Sequence, residues 1–173
     1  MMRRGIMRKT MDTSVWVART ELGRAKEDMG MILEKARSIG AEVLVLDADM
    51  VFGKDHMSSA AYHARKAIDE KRNSADSLAM ETLLYASGQR QLSGAIDKMS
   101  VTEDTTRIVI AQLSGPEIIS EKGWEPMEPL AEDVSSERLA KYGVSEREQA
   151  TIGSRNPSEI ILEKVAAVDI LKK

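Results

Sequence analysis

The segment Ala86-Ser87-Gly88-Gln89-Arg90-Gln91 combines residue types that could bind an anion. It lies between two stretches whose apolar residues recur at helical spacing. Gly88 predicts the end of the first helix, because glycine takes a positive φ without steric cost. The second helix then begins beside Arg90 with unpaired backbone N–H groups. We expect this corner to bind one phosphate or carboxylate, and a solvated helix-helix connection is the alternative.

The two histidines, His56 and His63, lie seven residues apart on a predicted helix. At about 1.5 Å per residue they share one face but stand about 10.5 Å apart along the axis, too far for a shared metal ion. Ser59 and Lys66 fall on the same face. The sequence therefore predicts a polar ridge opposite an alanine-rich face, either a donor-rich wall for RNA or simply a solvated surface.

Asp47 and Asp49 follow a predicted strand, and strand alternation could point both carboxylates the same way. Such a pair could bind a divalent cation or transfer protons, and capping a loop is the alternative. The sequence contains no nucleophile elbow, phosphate-binding glycine loop or dinucleotide fingerprint. It also contains no cysteine, which excludes thiolate nucleophiles, disulfides and cysteine-ligated metals. No catalytic set is recognisable, and we expect no metal site and no cofactor.

Three strands and five helices are predicted to position these residues. The strands cover 13–19, 42–46 and 106–113, and the second reads as a buried central strand because it is almost entirely apolar. The first helix covers 25–39 with a stripe of Met29, Ile32, Ala36 and Ile39. Asp55 is the predicted N-cap of the second helix, whose inner face would be Met57, Ala60, Ala61, Ala64 and Ile68.

The helices on either side of the corner have clear ends. Asp76 or Ser77 caps the one before it, and the one after it should end near Met99. The proline-containing stretch 123–129 reads as loop or edge strand. Asn156-Pro157-Ser158-Glu159 begins a last helix that runs to about Ile170.

That last helix is apolar more than halfway round. Either it is sandwiched within the domain, or a second face meets a partner. The apolar positions are Ile160, Ile161, Leu162, Val165, Ala166, Val168 and Leu171.

Bulk properties limit the possible functions. A chain of 173 residues predicts a single domain, 1–173, in which residues 1–12 could form a flexible extension. The predicted fold class is α+β (mixed α/β), a small central β-sheet with helices packed against it. Aromatic residues make up 3% of the chain and its net charge is −3, which argues against a broad base-stacking platform or a large phosphate-binding surface. The basic N-terminus lacks the apolar core of a signal peptide, and no apolar run spans a bilayer, so we expect a cytoplasmic protein.

Several segments resemble the CGI/TPRKB family, the small regulatory subunit of the KEOPS (EKC) complex. They are 47–56, the helix start at Asp76-Ser77, and above all 80–92 with its Ala-Ser-Gly-Gln-Arg-Gln block. Glu163-Lys164-Val165-Ala166 is similar to the last helix of that family. The resemblance covers roughly residues 14 to 171 and is weakest over 115–155.

The resemblance implies a noncatalytic protein that binds the N-lobe of the complex's kinase-like ATPase subunit. It also implies support of threonylcarbamoylation of adenosine in ANN-decoding tRNAs, and binding of the single-stranded tRNA 3′ CCA tail. The alternatives are a small metal-dependent enzyme that uses Asp47 and Asp49, and an adaptor without RNA contact. We assign RNA contacts to Lys54, His56, His63, Ser87, Gly88, Gln89 and Arg90, and kinase contacts to Ile160, Leu162 and Ala166.

Overall fold

The computed structural model describes residues 13–118, 120–132 and 134–172, so the predicted extension at residues 1–12 lies outside the described residues. The described residues form one antiparallel sheet of four strands in the order β2-β3-β1-β4. The strands are β1 (Ser14–Arg19), β2 (Glu42–Asp47), β3 (Arg107–Ser114) and β4 (Glu125–Pro126). The described part also contains α1 (Ala25–Ser38), α2 (Lys54–Asp69), α3 (Leu78–Ser87), α4 (Leu92–Met99), α5 (Ser136–Tyr142), α6 (Glu146–Ala150) and α7 (Ser158–Leu171). A 3₁₀ turn, Ala48–Met50, follows β2. The fold is α+β, as predicted.

Helices cover both faces of the sheet, so the strands contribute to two hydrophobic cores. Successive side chains of a strand point to opposite faces. Val43 and Val45 of β2 therefore join the core beneath α1, whereas Leu44 and Leu46 join the larger core formed with α2, α3, α5 and α7. This double burial explains why β2 is apolar without alternation.

The prediction that β2 is a central strand was wrong. β3 lies between β1 and β2 and pairs with both, which leaves β2 at the edge. An unbroken apolar run indicates that both faces of a strand are buried, and in this fold helices bury both faces of β2. It carries no information about the position of the strand within the sheet.

The start of α2 also differs from the prediction. The N-cap is Gly53, and Asp55 lies within the first turn. Gly53 has a φ of 120°, and a Cβ at this position would lie 2.3 Å from the carbonyl oxygen of Pro129. The backbone N–H groups of Lys54 and Asp55 donate to the carbonyl oxygens of Glu128 and Pro129 at 2.8 and 2.9 Å. A neighbouring loop thus satisfies the donors that a capping side chain would otherwise satisfy.

Other local signals were confirmed or corrected by the structure. Ser77 caps α3, since its Oγ accepts a hydrogen bond from the N–H of Met80 at 3.2 Å. The side chain of Asn156 accepts from the N–H of Ser158 at 2.9 Å at the start of α7. Ile39 is 42% exposed beyond the end of α1, so its place in the predicted apolar stripe was wrong.

Segment 115–155 holds the elements that the sequence left open. β4 pairs with β1 through Pro126 and forms the outer edge of the sheet, in agreement with the predicted edge strand. α5 and α6 are short helices that were not predicted. Among the described residues, no helix has both the length and the apolar character needed to cross a membrane.

Candidate functional site

The predicted corner joins α3 to α4. α3 ends at Ser87, Gly88 follows with a left-handed φ of 67°, and α4 begins at Leu92. The N–H of Gly88 donates to the carbonyl of Tyr85 at 3.1 Å, and the N–H of Gln89 donates to the Oγ of Ser87 at 3.1 Å. The prediction that Gly88 ends this helix is confirmed.

The carbonyl groups at the end of α3 are satisfied from within the protein. The Ala86 carbonyl accepts from the hydroxyl of Tyr142 at 2.6 Å and lies 2.8 Å from Nε2 of His56. The Ser87 carbonyl accepts from Nζ of Lys98 at 2.6 Å. His56, Ser87 and Tyr142 are fully or almost fully buried, so the corner rests on packed side chains.

His56 lies beneath the corner instead of on the predicted polar ridge, and that placement was wrong. The Phe52 N–H donates to its Nδ1 at 3.1 Å, which leaves the proton on Nε2, where it faces the Ala86 carbonyl. Burial lowers the pKa of His56 to about 4, and the charges of Lys98 and Arg138 act in the same direction. His56 is therefore neutral at pH 7. The ridge prediction failed because the N–H of Phe52, four residues earlier, and the carbonyl of Ala86 on α3 hold this ring in the core.

The His63 side chain is also engaged in contacts within the protein. Its Nδ1 lies 2.8 Å from Oδ2 of Asp169, and its ring stacks on Tyr85 with the centroids 5.5 Å apart. The Tyr85 hydroxyl donates to the other carboxylate oxygen at 2.6 Å. Burial opposes ionisation of Asp169, but the hydrogen bonds from Tyr85 and His63 outweigh it and lower its pKa. Lys54, the first residue of α2, is half-buried.

Arg90 is the exposed cation of the corner. Its guanidinium makes no hydrogen bond or ion pair with any residue that the structure describes. Gln91, the N-cap of α4, makes no capping side-chain bond, and the first bond of this helix runs from the N–H of Ala95 to the Gln91 carbonyl. Among the described residues, no side chain caps the first N–H groups of α4, and the exposed Arg90 precedes them in the chain, an arrangement typical of anion-binding sites.

Two further cations, Lys98 and Lys164, lie at the corner. The sequence analysis did not assign either of them to the site. Nζ of Lys98 lies 3.5 Å from the centroid of the Tyr142 ring. Burial lowers the pKa of Lys98 to about 8, and the charge of Lys164 contributes. A Cβ built on Gly88 would lie 3.8 Å from the Cβ of Lys164. Packing of α7 against α3 brings Lys164 here, so no local sequence signal could have revealed it.

The aspartate pair is structural. Oδ1 of Asp47 accepts from the N–H of Asp49 at 2.9 Å, and Oδ2 accepts from the hydroxyl of Thr105 at 2.8 Å. Asp49 points towards Lys141, whose Nζ lies 3.8 Å away. The described residues contain no group of three histidine, aspartate or glutamate side chains that could hold a metal ion. The loop-capping interpretation is confirmed for Asp47, whereas the carboxylate of Asp49 caps no loop among the described residues.

The last helix exposes part of its predicted partner face. Ile160 is only 6% exposed and belongs to the core, so its assignment to a partner surface was wrong. Leu162 is half-buried, Ala166 is exposed, and Ile170 is 71% exposed. Residues spaced by four lie on one side of a helix, so these three form an outward stripe on α7.

Comparison with known families identifies a match over most of the chain. The family model described as kinase binding protein CGI-121 matches residues 25–142, which is more than half of the chain and includes the whole α3–α4 corner. No curated protein matches the chain.

Proposed function

The chain belongs to the CGI-121 family of kinase-binding proteins, and on that premise we propose that it is a noncatalytic regulatory subunit of the KEOPS complex. In this role it binds the kinase-like ATPase subunit and supports threonylcarbamoylation of adenosine in tRNA, in the cytoplasm. It needs no cofactor for this role. The α3–α4 corner binds the tRNA 3′ CCA tail, and the stripe of Leu162, Ala166 and Ile170 on α7 contacts the kinase-like subunit.

The availability of Arg90 is the observation that supports RNA binding. A guanidinium that is exposed and unpaired among the described residues can donate two parallel hydrogen bonds to one phosphate. The open N–H groups of α4 stand next to it in sequence. A protein with a net charge of −3 holds few phosphates on its own, so a short single-stranded tail suits this site better than a duplex.

Burial narrows the set of residues proposed to touch RNA. Gly88, Gln89 and Arg90 are accessible, so we keep them as direct contacts. The side chains of His56 and Ser87 are buried, and we propose that they support the corner from beneath. His63 is bound to Asp169 and Lys54 is half-buried, so the proposal does not depend on either residue.

Binding of intact tRNA and of tRNA trimmed of its CCA tail tests the proposal. Arg90→Ala should weaken binding of the intact molecule by about 10- to 150-fold, since a hydrogen bond to a charged group contributes about 1.5–3 kcal/mol. Binding of the trimmed molecule should stay at its lower level. Arg37→Ala is the matched control, because Arg37 is an exposed arginine of α1, the helix on the opposite face of the sheet.

Two results would count against tail binding. Equal affinity of the wild-type protein for intact and trimmed tRNA would favour an adaptor that binds the kinase without RNA contact. A loss that is the same for both RNAs, or the same for Arg37→Ala and Arg90→Ala, would show that Arg90 acts only through general charge.

A further inference from the structure

Lys164 stands at the edge of the corner, but its charge is engaged by a carboxylate. Its Nζ lies 2.8 Å from Oε1 of Glu148 on α6, and its Cβ is close to Gly88. The side chains of Lys164 and Glu148 are 26% and 41% exposed, so solvent and ligands reach the pair. The contribution of such a partly exposed ion pair to stability is small, because water screens it.

Glu148 is fixed independently of Lys164. Its Oε2 accepts from the N–H of Ser145 at 2.8 Å and from the Ser145 hydroxyl at 2.9 Å, which completes a capping box at the start of α6. The hydrogen bonds from Lys164 and Ser145 lower the pKa of Glu148 to about 2. A full negative charge is thus held beside the corner by the geometry of α6.

Lys98 and Lys164 differ in their freedom to move. Lys98 is tied to the Ser87 carbonyl and the Tyr142 ring, so it stabilises the corner and cannot reach outward. Lys164 has Glu148 as its one hydrogen-bond acceptor among the described residues. Its flexible stem allows the ammonium group to exchange that acceptor for another.

We propose that Lys164 is an additional phosphate-binding residue of the tRNA-tail site and that Glu148 competes with RNA for it. This inference rests on the proposed function of the corner. When a phosphate of the tail occupies the corner, the Lys164 ammonium turns from the carboxylate to the phosphate. Glu148 then limits the affinity of the site and the number of phosphate charges that the protein neutralises.

Glu148→Gln isolates the competition. Glutamine keeps the length of the side chain and an oxygen that can accept from Ser145, but it removes the charge that holds Lys164. The control is Glu163→Gln on α7, which changes the net charge equally and breaks a pair with Arg155 at 3.0 Å. We expect Glu148→Gln to raise the affinity for intact tRNA about two- to fivefold and to steepen its salt dependence. Glu163→Gln should not raise the affinity for intact tRNA, and Glu148→Gln should not raise the affinity for trimmed tRNA.

Lys164→Met tests the coupling directly. It should weaken binding of intact tRNA, and adding Glu148→Gln to it should bring no further change. The inference is overturned if Glu148→Gln leaves the affinity for intact tRNA unchanged, or if it raises that affinity equally with and without Lys164. In either case, a loss of affinity in Arg90→Ala still supports the proposed function. If Arg90→Ala also binds intact tRNA normally, both fall. Thermal melting of each variant verifies that it is folded.

Discussion

Mild acid should destabilise this fold through one buried histidine. His56 bridges the N–H of Phe52 and the carbonyl of Ala86, and only the neutral ring with its proton on Nε2 fits both partners. A second proton on Nδ1 would face the Phe52 N–H, a donor pointed at a donor. The charges of Lys98 and Arg138 add to this cost.

The size and sign of the effect follow from the two pKa values of His56. Its pKa is about 6.5 in an unfolded chain and about 4 in the folded protein. Below pH 6.5 the unfolded state takes up a proton that the folded state refuses, so stability falls as the pH falls. The loss is about 1.4 kcal/mol per pH unit. It reaches about 2 kcal/mol at pH 5 and about 3 kcal/mol near pH 4, where it levels off.

Chemical denaturation between pH 7.5 and pH 5 measures this loss. The range ends above the region where Glu148 and Asp169, whose pKa values are lowered in the fold, begin to lose their contribution. The comparison is His56→Asn, in which the side-chain oxygen can accept from the Phe52 N–H while Tyr142 still donates to the Ala86 carbonyl. Every other ionisable group is present in both proteins, so the difference between the two pH profiles isolates His56.

The variant should be less stable than the wild type at pH 7.5 because it leaves a gap in the core. The two stabilities should converge as the pH falls to 5. Parallel pH profiles for His56→Asn and the wild type would refute the reasoning, since they would mean that His56 accepts a proton in the folded protein without cost.

Two further perturbations concern α7. Lys172→Met should destabilise the fold by about 3 kcal/mol in denaturant titrations, because it strips the fully buried carboxylate of Glu81 of its cation. Adding Glu81→Gln should restore part of that loss, and a single variant as stable as wild type would contradict it. Ala166→Glu should abolish co-purification with the kinase-like subunit and leave the melting temperature unchanged. Ala140→Glu, on the exposed side of α5, should change neither co-purification nor the melting temperature. Retained co-purification would remove this stripe from the proposed interface.

Local sequence signals located the elements that depend on local contacts. Ser77 and Gly88 mark the two ends of α3 because a side-chain acceptor and a left-handed residue act within one helical turn. Asn156 acts in the same way at α7. Helix spacing also identified most of the buried face of α2, although Ala67 is buried where Ile68 was predicted.

Contacts between distant segments explain the failures. Asp55 is not a cap because the loop at Pro129 supplies the acceptors, and β2 is not central because β3 pairs between it and β1. Nothing in the sequence around His56 distinguishes it from an exposed histidine. The same distinction applies to the candidate site. Arg90 could be predicted from its neighbours in the chain, whereas Lys164 reaches the corner only because α7 packs there.

We expect the corner to attract anions because the two helix ends that meet there differ in how their backbone groups are satisfied. A helix C-terminus carries negative partial charge and an N-terminus carries positive partial charge. Here only four residues, 88–91, separate the end of α3 from the start of α4. Tyr142, His56 and Lys98 occupy the carbonyl groups of α3, so its negative end is neutralised inside the protein. No residue that the structure describes caps the positive end of α4, which follows Arg90 in the chain. The same three donors therefore stabilise the fold and support the proposed binding of phosphate at the corner.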